Sequence, residues 1–128
     1  MNNFNDMIKI VMIISIFLIS VCIFTNTISA ATVNVNPNDS DGIKGAVEKS
    51  NNGDTILLAR GTYKGVTNKN IYLEKNVIIR GNGPTSSVII DAQKTDRIFY
   101  YTYGSKEVTF TNITFLNCNI AVYAMSLT

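Results

Sequence analysis

From Gly53 onward the chain is a cadence of short apolar triplets separated by turn residues, and that cadence narrows the possible folds most. The triplets are Ile56-Leu57-Leu58, Ile71-Tyr72-Leu73, Val77-Ile78-Ile79, Val88-Ile89-Ile90, Ile98-Phe99-Tyr100, Val108-Thr109-Phe110, Ile113-Thr114-Phe115 and Ile120-Ala121-Val122. Runs this short, rich in β-branched and aromatic residues and bounded by Gly, Asn, Asp and Pro, read as strands. Eight of them with a single helix fit poorly with alternating βαβ units. They fit a sandwich or a solenoid. The stretch Val108 to Phe115 favours the solenoid, because strand, corner at Asn112 and strand again leave no room for a hairpin reversal.

Ahead of the cadence, Thr32-Val33-Asn34-Val35-Asn36 alternates apolar and polar residues and stops at Pro37, the pattern of a short strand. Asp39-Ser40-Asp41 offers helix N-caps and an acidic first turn. Ile43, Ala46 and Val47 then fall on one helical face, and Asn51-Asn52-Gly53 ends the helix at residues that accept a positive φ. Such a helix, short and narrow in its apolar face, suits a lid over the end of something else.

The N-terminal 31 residues have the pattern of an export leader. A polar start carrying Lys9 precedes an apolar run from Ile10 to Phe24, broken only by Ser15 and Ser20. Fifteen helical residues span about 22 Å, short of a hydrocarbon core about 30 Å thick. A polar then small-residue exit, Thr25 to Ala31, completes a signal-peptide pattern. Ser29 and Ala31 occupy the small −3 and −1 positions for a cut before Thr32, and a cut before Ala31 is nearly as good. An uncleaved signal anchor is the alternative, and it would be the chain's one link to a membrane. Cys22 does not make a lipoprotein site, since Val21 before it is too large and the apolar run continues past it. After cleavage Cys118 is the one remaining cysteine, so no internal disulfide forms; a lone thiol of this kind reads as a small buried hydrophobe.

Composition removes whole classes of chemistry. The chain has no His, which takes away the usual general base, the Ser-His-Asp and Cys-His nucleophile systems and the commonest metal ligand. Its two Cys cannot build a zinc site unaided. A net charge of +2 spread along the chain offers nucleic acid no basic stripe.

Asp41-Gly42-Ile43-Lys44-Gly45-Ala46-Val47, Asn52-Gly53-Asp54-Thr55-Ile56-Leu57-Leu58 and Gly61-Thr62-Tyr63, in that order, resemble the opening of pectin-lyase-like right-handed parallel β-helices. Asn76 to Gly83 and Asn112 to Asn117 resemble that family's coil repeats. With a leader, abundant Asn and Thr and no catalytic signature, the resemblance is nearest to the Asn/Thr-rich adhesin-like surface proteins of archaea. It implies an all-β right-handed parallel β-helix of about three coils with an N-terminal capping helix. It also implies three sheets, taking residues 56–58, 77–79 and 108–110; 88–90 and 113–115; and 71–73, 98–101 and 120–123. The chain then divides into a signal peptide (1–31), a lead-in strand and capping helix (32–53) and coils (54–128). With few residues after Val122, the last coil would be open. That predicts either the opening segment of a longer protein or self-association through the open coil.

The tyrosines are the leading surface candidates. Phe99, Tyr100, Tyr101 and Tyr103 crowd one strand, and Tyr72 and Tyr123 fall on the same expected sheet. Alternation sends Phe99, Tyr101 and Tyr103 to one face and Ile98 and Tyr100 to the other. Tyr72, Tyr101, Tyr103 and Tyr123 are therefore candidate glycan contacts, weighed against an aromatic ladder that stiffens the sheet. Asn38, in the sequon Asn38-Asp39-Ser40, is a candidate glycosylation site, whereas the sequon at Asn112 sits at a tight corner and reads as structural. Asn82, Asn112, Asn117 and Asn119 read as corner residues that tolerate a left-handed backbone and stack their amides from coil to coil. Asp91, Lys94, Asp96 and Arg97 form one charged cluster. Polysaccharide lyases of the resembled fold use acidic calcium ligands and a basic residue, but two Asp fall short of a calcium cage, and no opposed carboxylate pair suggests a glycosidase.

The sequence therefore predicts an exported, non-catalytic, adhesin-like surface module that uses no cofactor or metal and binds polysaccharide, cell-surface glycans or neighbouring cells. The alternative is the N-terminal fragment of a secreted polysaccharide lyase or related carbohydrate-active enzyme.

Overall fold

The computed structural model describes residues 3–22, 29–102 and 107–125. In chain order it contains α1 (Phe4–Cys22), β1 (Thr32–Val35), α2 (Gly42–Lys49), β2 (Thr55–Leu58), β3 (Gly61–Tyr63), β4 (Ile71–Tyr72), β5 (Val77–Gly81), β6 (Val88–Thr102), β7 (Val108–Thr111) and β8 (Thr114–Met125). Every strand pairing among the described residues is parallel. One sheet has the order β1-β2-β5-β7; in the other, β6 pairs with β3, β4 and β8. A tight hairpin cannot join parallel neighbours. The chain accordingly crosses from β2 to β3 and β4, back to β5, across to β6, back to β7 and across again to β8.

This architecture corrects the expected all-β right-handed parallel β-helix with a capping helix. The fold is mixed α/β, with two parallel sheets, two helices and a half-barrel curl. The strand groups that the resemblance implied do lie side by side, but two of the three expected sheets are one. The reason is a bulge. β6 runs unbroken for 15 residues, and its register against β8 shifts between Asp91 and Thr95. Asp91 pairs with Leu116 and Thr95 with Cys118, so residues 92–94 face Asn117 alone. Gln93, Lys94 and Asn117 take the strain with left-handed φ of 56°, 61° and 52°. A corner that the sequence places between two short strands is thus absorbed inside one long strand.

α2 is likewise no lid. Its Ile43, Ala46 and Val47 belong to the single core cluster, beside Ile56 and Leu58 of β2, Val77 and Ile79 of β5, Val88, Ile90 and Phe99 of β6, and Tyr63 of β3. Alternation produces this face: along β5, Val77, Ile79 and Gly81 are buried while Ile78 and Arg80 are exposed. Each fully buried aliphatic or aromatic side chain is worth about 1.5–3 kcal/mol. Phe99, Phe110 and Phe115 join β6, β7 and β8, with ring centroids 5.0, 6.2 and 5.9 Å apart. Tyr63 is wholly buried, and its hydroxyl lies within donating distance of the Val35 carbonyl (2.8 Å) and the Ala59 carbonyl (2.9 Å). Burial pushes the Tyr63 phenol well above its ordinary pKa. Cys118 is half-buried and packs against the same cluster.

Both ends of α2 are satisfied from far along the chain. Asp41 is the N-cap residue, yet its side chain makes no capping bond and instead meets Lys49 Nζ at 2.7 Å on the exposed flank. The first turn is served by buried Asn68, whose Oδ1 accepts from the Ile43 N–H at 3.0 Å while its Nδ2 donates to the Lys64 carbonyl at 2.7 Å. At the other end Lys75 Nζ donates to the carbonyls of Glu48 (2.8 Å), Val47 (3.3 Å) and Ser50. A cation there meets the negative end of the helix dipole and carbonyls that the helix leaves without partners.

α1 presents Phe4, Met7, Ile8, Ile10, Val11, Met12, Ile13 and Ile14 to solvent. Among the described residues, no helix is long and apolar enough to cross a membrane.

Two substitutions test this packing. Lys75→Met keeps the aliphatic stem and removes the donors; denaturant unfolding is expected to show a loss of about 1–2 kcal/mol. At Gly81 a β-carbon would collide with the Asn112 carbonyl oxygen and press on Val88. Gly81→Ala is therefore expected to cost about 1–3 kcal/mol in the same assay; an unchanged midpoint would contradict the close approach of the two turns.

Candidate functional site

β4, β6 and β8 are neighbours, and their registers set Tyr72 opposite Tyr100 and Tyr100 opposite Tyr123. The preceding row, Ile71, Phe99 and Val122, faces the core: Ile71 and Phe99 are buried and Val122 packs against the cluster. Alternation then turns the tyrosines outward. The Tyr72 and Tyr100 ring centroids are 5.1 Å apart with the planes tilted by 33°. Arg97, three residues before Tyr100, places its guanidinium carbon 4.9 Å from the Tyr100 ring centre and 5.4 Å from that of Tyr123. Such cation–π contacts contribute about 0.5–1 kcal/mol each near a surface. The Tyr72 hydroxyl and Thr102 Oγ1, 3.1 Å apart, share a hydrogen bond. Tyr72 remains 37% exposed and Tyr123 40%, so the row is braced without being covered.

Beside this row lies a cleft of about 250 Å³ walled by Tyr72 and Tyr100 and by Lys44, Glu48, Asn70 and Glu74. Pockets that enclose a drug-sized ligand run to about 300–1,000 Å³. This one is a shelf able to lodge a single small ring against two tyrosines. Its rim carries both donors and acceptors and both signs of charge, which suits hydroxyl groups better than an ion.

The structure brings together Tyr72 and Tyr123 of the four tyrosines expected on this surface. Tyr101 points the other way and packs against the core cluster. Tyr103 lies outside the described residues. Tyr100 and Arg97 take their places. No signal in the sequence singles out Tyr100: alternation puts it on the face of Ile98, which is itself buried, so apolar neighbours do not tell the two faces apart.

The charged cluster is part of the bulge. Asp91 is nearly buried, and its Oδ1 accepts from Asn117 Nδ2 and from the Gln93 N–H, both at 2.9 Å; Lys64 Nζ stands 3.7 Å from its other oxygen. The Asn117 bond, then the Gln93 N–H and the nearby Lys64, hold the Asp91 carboxyl below its ordinary pKa. Lys94 is exposed at the bulge apex, and Arg97 joins the tyrosines. Among the described residues, no group of three or more His, Cys, Asp and Glu could hold a metal ion. Asn112 and Asn117 have the left-handed backbone expected of corner residues, with φ of 56° and 52°. Asn82 and Asn119 do not share it, and the Asn117 amide turns to Asp91 rather than to another amide. Asn38 is exposed in the loop between β1 and α2.

A carboxyl whose pKa falls on folding stabilises the fold above its unfolded pKa of about 3.9, and that stabilisation is lost as pH drops through the folded value. Asp91→Asn is thus expected to lower the melting temperature at pH 7, with the gap to the parent narrowing steadily below about pH 4. A gap independent of pH would contradict the ionised role of Asp91. No family model, curated protein or solved structure matches this chain.

Proposed function

We propose that this chain is an exported, non-catalytic surface module that binds neutral glycans on polysaccharide or on neighbouring cells. The observation that carries the reading is the in-register row Tyr72–Tyr100–Tyr123, braced by Arg97 and opening onto the adjacent cleft. Sugar rings offer apolar faces and hydroxyl rims. Tyrosine rings with their hydroxyls complement both, and a half-exposed pair gives up little entropy on binding. The mixed-sign rim of Lys44, Glu48 and Glu74 favours hydroxyl groups over the carboxylates of an acidic polymer. Export rests on the leader pattern of residues 1–31, and the adhesin-like assignment rests on that pattern together with the tyrosine row.

The lyase reading has less behind it. Asp91 is engaged by Asn117 and Gln93 within the bulge, and the basic residue nearest the tyrosines, Arg97, lies against two rings.

The exported protein should bind neutral polysaccharide in affinity electrophoresis and bind acidic polymers more weakly. Tyr100→Ala and Tyr123→Ala are each expected to weaken that binding by about 5–30-fold, equivalent to about 1–2 kcal/mol, whereas Tyr101→Ala acts mainly on stability. Retention of full binding by the Tyr100→Ala/Tyr123→Ala double variant, still folded by circular dichroism, would discard this surface.

A further inference from the structure

Ala31 is bonded through both of its main-chain polar groups. Its main-chain nitrogen donates to Asp54 Oδ1 at 2.8 Å, and its carbonyl accepts from the Thr55 N–H at 2.8 Å. Asp54 is 2% exposed at the foot of β2, and its second oxygen accepts from the Asn51 N–H at 2.7 Å. The bonds from Asn51 and Ala31 keep its carboxyl ionised below the ordinary range. The other charge acting on it is Lys75, whose ammonium is taken up by the carbonyls at the end of α2. Ser29, Ala30 and Ala31 are exposed and lie outside any helix or strand.

We infer that the leader is removed between Ala30 and Ala31, and that the new α-ammonium of Ala31 forms an ion pair with the buried carboxylate of Asp54. The inference rests on the leader part of the proposed function and is independent of glycan binding. Hydrolysis by a leader peptidase adds one water across the Ala30–Ala31 peptide bond. The C–N bond breaks, Ala30 keeps the carboxylate, and Ala31 keeps the amine, which is protonated at neutral pH. The N–H bond to Asp54 then becomes a charge-assisted one. The competing cut before Thr32, which has the better small-residue pattern, would remove Ala31 entirely. It would strip Asp54 Oδ1 of this donor and the Thr55 N–H of this acceptor, two bonds that fix the start of β1 against β2. A product that begins at Ala31 keeps both bonds.

The test is to express the full chain in a secreting host and measure the intact mass of the exported product. A product beginning at Ala31 is expected. One beginning at Thr32 would overturn the inference and leave the leader standing; an exported or membrane-held product of full mass would overturn both. In the product beginning at Ala31, acetylation of the α-amine at neutral pH is expected to be at least about tenfold slower in the folded protein than in urea, one pKa unit being tenfold in free amine. Asp54→Asn should release the amine to the faster rate. Equal rates in folded and unfolded wild-type protein would overturn the ion pair, whether or not the variant folds.

Discussion

Parallel pairing governs everything else in this molecule. A parallel strand cannot turn straight back onto its neighbour, so each return to the sheet of β1, β2, β5 and β7 is made by way of the other sheet or of α2. Both sheets consequently grow together, and the side chains between them fuse into one core instead of two. The tyrosine row is a by-product of the same rule. In-register parallel neighbours place like residues side by side, and Tyr72, Tyr100 and Tyr123 come from three separate passes of the chain. No local segment could have assembled that surface.

The bulge in β6 shows how a polar device permits a long strand. Residues 92–94 face one residue of β8, and the surplus is folded into two left-handed residues whose turn is tied to Asp91. Asp91 in turn holds Asn117 across the gap. Asp91, an acid of the kind a catalytic loop would use, is thereby committed to geometry. Arg97, from the same charged run, lies against two aromatic rings.

Much of the strand content was legible in the sequence, because triplets of β-branched residues have few other uses. The grouping of 56–58, 77–79 and 108–110 came from the family resemblance, since these segments start at unequal intervals, and they do lie together. What the residues could not disclose was continuity. Whether Ala92 to Arg97 forms a loop or a bulged strand depends on hydrogen bonds to residues more than twenty positions away. The role of α2 was hidden for a similar reason: a face of Ile43, Ala46 and Val47 reads the same over the end of a sheet as within a core. At the candidate site, Tyr72 and Tyr123 were visible, and Tyr100 was missed because parity alone does not say which face is inward.

The two distant caps of α2 set an order of events. An eight-residue helix is far below the about 12–15 residues at which isolated helices become even marginal. Here the groups that complete it, Asn68 and Lys75, follow it by 25 to 28 positions. The segment therefore stays open until the chain through β4 has emerged and folded back. Early in its life the polypeptide therefore has no stable helix between Gly42 and Lys49, and this stretch of the core takes its shape only after segments that follow it in the chain.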